Sequence, residues 1–165
     1  MKLQLRRFLQ PDAALLYQIT RDSIQLGDTE NKIYVNSDRE FFGRLAADLQ
    51  HFYHDFFVIE SADSDMPTVL GYVYSYDYRP NDRHCQLAVR MNGTTLVTEA
   101  VNAFTAYLFR EYPLIKVFVQ VTDPTLLPCL TAAGFAAELT LKDYCYENGR
   151  AVDMTVLSRY AKETL

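Results

Sequence analysis

The stretch "LGYVYSYDYRPNDRHCQLAVRM", residues 70–91, decides how this chain folds. Two runs rich in valine, tyrosine and other strand-forming residues flank the turn-forming Pro80-Asn81-Asp82. This pattern predicts two strands joined by a short turn. A third run, "FFVIES" at residues 56–61, precedes them across a second polar turn. The three runs together predict an antiparallel meander.

A long amphipathic helix follows the meander. In "TTLVTEAVNAFTAYLFREY", residues 94–112, apolar residues recur at helical spacing up to a proline. Beyond it, residues 115–121 predict an apolar strand and residues 124–134 a short helix that ends at Gly134. Residues 135–160 then predict a hairpin that turns at "ENGR".

The chain before the meander predicts one strand and two helices. Residues 3–8 have strand character, and residues 11–23 carry an apolar stripe at helical spacing. A polar loop is expected at residues 27–32. "SDRE", residues 37–40, has the form of a capping box and therefore predicts the start of the second helix.

The predicted order is β-α-α-β-β-β-α-β-α-β-β, which indicates an α/β fold with a mixed sheet and helices on its faces. The chain has 165 residues and no internal repeat or linker. We therefore expect one domain, residues 1–165.

Composition and charge exclude several classes of protein. Hydrophobic residues make up 49% and charged residues 22% of the chain, which is typical of a globular protein. The net charge of −5 provides no basic field for nucleic acid or an anionic membrane. No apolar run has the length of a membrane span, so we expect a cytoplasmic protein.

Cysteines and histidines give no metal or disulfide pattern. Cys85, Cys129 and Cys145 are odd in number and lack C-x-x-C spacing, so buried reduced thiols are expected. His51 and His54 are three residues apart, but no third ligand with clear spacing accompanies them. We expect no metal.

The element order resembles that of the GNAT superfamily of acyl-CoA-dependent N-acetyltransferases, and especially its ribosomal-protein and spermidine acetyltransferase branch. Thr98-Glu99-Ala100, Gly134-Phe135 and "ENGRAVDMTVLSR" at residues 147–159 carry the resemblance. In that family an asparagine commonly precedes the Gly-Phe pair by eleven positions, and here Asp123 stands there. The resemblance implies acetyl-CoA as cosubstrate and Asp123 as one of its contacts.

The family binds the pyrophosphate with a loop that resembles [QR]-x-x-G-x-[GA], and this chain departs from it. One register places "NGTTLV", which starts at Asn92, in the loop; the other reads Arg90-x-x-Gly93-x-Thr95. Thr94 and Thr95 disfavour positive φ, so they predict a loop with a different path. Backbone and side-chain donors of Arg90, Asn92, Gly93, Thr94 and Thr95 are expected to bind the phosphates. The alternative is a plain turn in which either threonine caps the helix.

The usual catalytic acid of the family is missing. Leu130 stands where many relatives have a tyrosine that protonates the departing thiolate, and Leu126 stands at the commonly hydroxylated position four residues earlier. The hairpin offers Tyr144 or Tyr146 as substitutes, and Cys129 is a third option. Of these we assign the acid to Tyr144.

For a base, His84 at the start of a strand has a suitable pKa range and would act through water, and Glu60 is an alternative that would act in the same way. We assign the base to His84. Backbone N–H groups of Val89, Arg90 and Met91, expected to be exposed where two strands separate, are predicted to polarise the thioester carbonyl.

The tyrosines of residues 70–79 divide into two groups. Tyr72 and Tyr74 are predicted to lie in the core, with hydroxyls that need partners. Tyr76, Asp77 and Tyr78 lie near the end of the strand and are predicted to line an acceptor groove for a cationic amine.

The sequence therefore predicts a transferase that moves an acetyl group to a primary amine, either a small molecule or a peptide N-terminus, by direct attack in a ternary complex. The alternative is a GNAT-fold protein that has lost catalysis and serves as a ligand-binding or interaction module. A homodimer is compatible with either.

Overall fold

The computed structural model describes residues 2–29, 37–63 and 65–162; residues 30–32 of the expected polar loop lie outside them. The strands are β1 (Leu3–Arg7), β2 (Ile24–Leu26), β3 (Asp55–Ser61), β4 (Val69–Arg79), β5 (His84–Met91), β6 (Lys116–Val121), β7 (Ala136–Glu147) and β8 (Arg150–Tyr160). The helices are α1 (Asp12–Asp22), α2 (Asp38–His51), α3 (Val97–Glu111) and α4 (Leu127–Ala132), and a 3₁₀ turn (Pro124–Leu126) precedes α4.

The strands form one mixed sheet in the order β1-β3-β4-β5-β6-β8-β7, with β2 paired to β5. The predicted mixed α/β architecture, the meander β3-β4-β5 and the hairpin β7-β8 are confirmed. The predicted start of the second helix is also confirmed, and Ser37 is its N-cap, since Ser37 Oγ accepts from Glu40 N at 3.2 Å. The structure adds β2, which was not predicted because three residues are too few to show a period.

Strands β5 and β6 are the parallel pair, and they stay together only briefly. Residues 84–86 of β5 pair with residues 116–118 of β6. Farther along, residues 89–91 of β5 pair with β2 instead. Gly27, directly after β2, donates its N–H to the carbonyl O of Gln120 on β6 at 2.9 Å. The end of β2 therefore fills the gap between the two strands.

Gly27 is required where it stands. Its φ is +75°, and a Cβ there would lie 2.3 Å from the Leu87 carbonyl O. A side chain would collide with the backbone of β5, and the left-handed conformation disfavours any other residue. This close approach is what brings β2 against the sheet.

Helices cover both faces of the sheet. On one face, α3 and α4 contribute Val101, Phe104 and Leu130 to the larger core. On the other face, α1 and α2 contribute Leu16 and Phe41, which pack with tyrosines of β4. Leu126 and Leu130, the two leucines noted above in place of hydroxyl-bearing residues, are buried core residues.

The tyrosines of β4 do not all share a face. Tyr72, Tyr74 and Tyr76 pack with α1 and α2. The pairing of β4 with β5 is irregular between Tyr76 and Arg79, where Asp77 has a φ of 48°. This bulge lets Tyr78 pack against the larger core on the opposite face.

The core prediction for the first two tyrosines is confirmed, since Tyr72 and Tyr74 are buried. The Tyr72 hydroxyl lies 2.9 Å from Thr20 Oγ1, and Tyr74 Oη donates to Asp28 Oδ2 at 2.6 Å. The Tyr72 hydroxyl therefore ties α1 to the sheet, and the Tyr74 hydroxyl ties the segment after β2 to it.

The three cysteines are free thiols, but only Cys85 is fully buried, and Cys129 and Cys145 are half-buried. Burial raises the pKa of Cys85 to about 12. The described residues contain no cluster of three or more metal-ligating side chains. Among the same residues, none of the helices combines the length and the apolar character that crossing a bilayer needs.

Candidate functional site

A cavity of about 600 Å³ opens on the α1–α2 side of the sheet, beside the point where β5 and β6 separate. Its polar lining includes two carboxylates, two imidazoles and two amides. These belong to Asp28, Asp77, His51, His54, Gln86 and Gln120. Lysine and arginine are absent from the described lining. The cavity therefore favours cationic over anionic ligands.

Aromatic rings form the rest of the wall, from Phe52, Tyr53, Tyr76 and Tyr78. The turn after α2 presents several of them: the Phe52 ring stacks on Tyr76 at 5.3 Å between centroids. His54 stacks on Tyr78 with centroids 4.1 Å apart and an interplanar angle of 10°. Such rings attract alkyl chains and cations.

One row of hydrogen bonds runs along the wall and joins the two carboxylate residues. Asp28 N donates to Tyr76 Oη at 2.9 Å, and Tyr76 Oη donates to Gln86 Oε1 at 3.1 Å. Gln86 Nε2 then donates to Asp77 Oδ2 at 3.3 Å. The row fixes residues from three separate parts of the chain against one another.

A buried arginine stands behind this wall. Arg90 is fully buried, and its guanidinium donates to the Leu26 carbonyl at 2.9 Å and to Tyr74 Oη at 3.1 Å. Burial opposes its charge, yet Tyr74, Tyr72 and Asp28 hold the pKa of Arg90 above its usual value. Because Tyr74 in turn donates to Asp28, the arginine and the cavity carboxylate share one hydrogen-bonded chain.

The structure brings the predicted acceptor residues together, since Tyr76, Asp77 and Tyr78 all line the cavity. The two residues assigned to proton transfer do not line it. The His84 ring packs edge-on against Phe118 at 5.3 Å, and Tyr144 is exposed on β7.

Among the described residues, His84 Nδ1 is buried without a hydrogen-bond partner. Glu60, the alternative base, accepts from Arg6 at 2.7 Å and from Gln4 at 2.6 Å. That carboxylate is engaged at the β1 edge of the sheet.

The predicted exposure at the end of β5 is wrong. Val89, Arg90 and Met91 are buried, because β4 covers one edge of this segment and β2 covers the other. Nothing in the sequence indicated β2, which pairs with the backbone edge that was expected to contact the thioester.

The loop before α3 is open. Residues 92–95 are exposed, and Gly93 has a φ of +73°, with no atom within 4 Å of the position that a Cβ would occupy. The N-cap of α3 is Leu96, which makes no side-chain cap, so neither Thr94 nor Thr95 caps the helix. This exposed loop leads directly into the N-terminus of a 15-residue helix.

Asp123 has a local role at the end of β6. Its carboxylate accepts from Thr125 N at 2.9 Å and from Thr125 Oγ1 at 2.6 Å, which caps the 3₁₀ turn. Asp123 is therefore the N-cap of the 3₁₀ turn, a role that asparagine also fills well.

Several cavity residues were missed. Gln86 and Gln120 alternate with apolar residues on their strands and resemble ordinary sheet residues. His51 and His54 were considered only as metal ligands, and Asp28 lay in an expected polar loop. The available signal was the string of rings and imidazoles in "HFYH", residues 51–54, directly after a helix.

The sequence matches no protein-family model and no curated protein. Solved structures match it over nearly its whole length. A chimera of the Vibrio cholerae spermidine N-acetyltransferase SpeG and hSSAT has a TM-score of 0.78 and 19% identity over 97% of this chain and 96% of that one. The V. cholerae enzyme in complex with CoA and spermine has a TM-score of 0.79 and 17% identity over 96% and 95%.

A dodecameric structure of the same V. cholerae enzyme matches with a TM-score of 0.75 and 18% identity, over 96% of this chain and 93% of that one. These similarities show that the chain has the GNAT fold. Fold alone does not determine chemistry, which depends on the side chains of the site.

Proposed function

We propose that this chain, with residues 1–165 acting as one domain, is an N-acetyltransferase that moves the acetyl group of acetyl-CoA to a primary amine. The observation that carries the proposal is an acidic, aromatic cavity placed beside the separating strands of a GNAT fold. A similar structure is a complex with CoA and spermine. We therefore favour a small polycationic amine over a peptide N-terminus as acceptor.

The carboxylates of Asp28 and Asp77 would offset the charge of the amine, and the rings of Phe52, Tyr76 and Tyr78 would hold its alkyl chain. Asp77 lies at the rim, where Arg79 shares its carboxylate at 2.7 Å. Asp28 is almost fully buried. An extended amine would therefore contact one carboxylate at the rim and one in the depth of the cavity.

An ammonium must lose a proton before its nitrogen attacks a thioester. We propose that His54 accepts this proton, because His54 lines the cavity whereas His84 does not. Stacking against Tyr78 fixes the orientation of the imidazole. Proton transfer by Tyr144 would require contacts other than those in this structure, since its side chain is exposed on β7.

Acetyl-CoA would supply the thioester. The structure has room for its phosphates but not for its thioester at residues 89–91. The open loop from Asn92 to Thr95, which leads into the N-terminus of α3, fits its phosphates. Residues 89–91 do not fit the thioester in this structure, because β2 occupies their free edge. No contact to the acyl group is assigned to them.

The second candidate function is a non-catalytic module that binds cationic amines in the same cavity. The covered end of β5 favours it, as do the apolar Leu126 and Leu130 at the positions of the family's hydroxyls. Both functions share the cavity and differ only in the use of acetyl-CoA.

Turnover separates the two functions. Purified protein is incubated with acetyl-CoA and one acceptor at a time: spermidine, spermine, a monoamine or a peptide with a free N-terminus. Products are identified by mass spectrometry. The enzyme proposal predicts acetylated polyamine that disappears when His54→Asn replaces the wild type, with His84→Asn as the matched control. Amine binding without any acetylated product would favour the module.

A further inference from the structure

The segment formed by residues 24–29, called the gate segment below, occupies both strand edges that the separation of β5 and β6 leaves open. Its first three residues, β2, pair with residues 89–91 of β5. On the other side, Gly27 N donates to the carbonyl O of Gln120. Thr29 Oγ1 also donates to Gln120 Oε1, at 2.8 Å. The gap is thus filled by the chain itself.

The gate segment is also part of the cavity wall. Asp28 lines the cavity, accepts from Tyr74 Oη at 2.6 Å and donates its N–H to Tyr76 Oη at 2.9 Å. Two residues earlier, the Leu26 carbonyl accepts from the buried Arg90. The polar groups that hold the segment in the gap are therefore adjacent to any ligand in the cavity.

We propose that the gate segment closes the gap between β5 and β6 and opens when a cationic ligand in the cavity binds the Asp28 carboxylate. An ammonium at Asp28 competes with the Tyr74 hydroxyl for Asp28 Oδ2 and so weakens the tether of the segment. Opening uncovers the backbone edge of residues 89–91. This inference rests on the proposed function, since it assigns the uncovered edge of β5 to acetyl-CoA, whose phosphates are proposed to bind at the loop before α3.

Coupling between the two sites must be reciprocal. If the amine favours the open gate and CoA requires it, then each ligand raises the affinity for the other by the same factor. Leu26 opposes opening because its side chain is fully buried in the larger core. The closed state is therefore expected to dominate without ligands.

A disulfide across the gate tests this directly. Ile24 and Met91 are paired residues of β2 and β5, so Ile24→Cys with Met91→Cys places two thiols across the strand pair. The matched control is Leu3→Cys with Ser61→Cys, a pair of β1 and β3 in the same sheet but away from the gap. Circular dichroism and thermal melting verify that each variant is folded in both redox states.

Calorimetric titration with CoA and with spermidine then measures binding to each oxidised and reduced form. We expect oxidation of the gate pair to lower CoA affinity by about tenfold or more and to weaken spermidine binding without abolishing it, because both ligands favour the open gate. Oxidation of the control pair leaves both affinities unchanged. Measurable CoA binding with equal affinity for the oxidised and reduced gate variant would overturn the proposal.

Amide exchange followed by NMR distinguishes failure of the gate from failure of acetyl-CoA use. The Gly27 amide is hydrogen-bonded in the closed state, and spermidine is expected to speed its exchange by about tenfold. Unchanged Gly27 exchange at saturating spermidine would contradict the gate. Faster Gly27 exchange without CoA binding to any variant would keep the gate and reject the acetyl-CoA part of the proposed function.

Discussion

The cavity and the end of β5 lie next to each other on the same strands, yet only one of them is open. The cavity is lined by side chains that meet from β4, β5, β6, the gate segment and the turn after α2. At the end of β5 the backbone edge is covered by β2. A GNAT fold can therefore have an open cavity lined by polar and aromatic side chains while its own chain covers the neighbouring strand edge.

The difference lies in what each region needs from the chain. A cavity wall needs only side chains of suitable chemistry, and the tyrosines of β4 supply them. An open strand edge needs a backbone whose hydrogen bonds stay unused, and such edges readily attract another strand. Gly27 allows the backbone of the gate segment to approach β5, and this is why the strand edge at the end of β5 is covered.

The sharpest test of this comparison is Gly27→Ala against Gly93→Ala. Both glycines have positive φ, but a Cβ at Gly27 would lie 2.3 Å from the Leu87 carbonyl O, whereas a Cβ at Gly93 meets nothing within 4 Å. We expect Gly93→Ala to cost about 1 kcal/mol for conformation alone. We expect Gly27→Ala to cost about 3 kcal/mol or more, because the backbone must also shift.

Urea denaturation of the two variants and the wild type gives both values. Equal losses of unfolding free energy would mean that the gate segment does not pack against β5 as described.

A second comparison uses two tyrosines of β4 that differ in their partners. The Tyr74 hydroxyl joins the charged Arg90 and Asp28, whereas the Tyr72 hydroxyl meets the neutral Thr20. Tyr74→Phe should cost about 2 kcal/mol, since it removes one hydrogen bond to each of two charged side chains. Tyr72→Phe should cost about 1 kcal/mol. Urea denaturation measures both, and a larger loss for Tyr72→Phe would contradict the assigned network.

A third comparison separates the cavity wall from the core. Tyr76→Phe removes a hydroxyl that lines the cavity, and Tyr72→Phe removes the same group from the same face of the strand outside the cavity. We expect Tyr76→Phe to weaken spermidine binding by about three- to tenfold. Tyr72→Phe should change it by less than about twofold. Calorimetry measures both affinities, and equal weakening would place the amine elsewhere.

Much of this architecture follows from local sequence. Period-two runs located β3, β4 and β5, helical spacing located α3, and "SDRE" located the start of α2. The contribution of Tyr76, Asp77 and Tyr78 to the cavity wall could also be predicted, because these polar and aromatic residues end a strand whose other residues suit the core. Burial of Tyr72 and Tyr74 followed from the same position argument.

The remainder depends on contacts between distant parts of the chain. Strand β2 is three residues long and is held by pairing with residues 89–91, far along the chain. Tyr74 bonds the Asp28 carboxylate, Tyr76 bonds the Asp28 backbone N–H, and Gly27 and Thr29 bond Gln120. No local pattern encodes such pairs, so the covered strand edge was predicted to be open.

The most direct test of the central claim, that the cavity binds a cationic amine, is calorimetric titration with spermidine at low salt. Wild-type protein is compared with Asp77→Asn, which removes a cavity carboxylate, and with Asp65→Asn, which removes an exposed carboxylate elsewhere. We predict saturable binding that Asp77→Asn weakens by about fivefold, a modest factor because Asp77 is partly exposed and paired with Arg79. Asp65→Asn should leave it unchanged. No saturable binding, or equal effects of the two substitutions, would contradict the account.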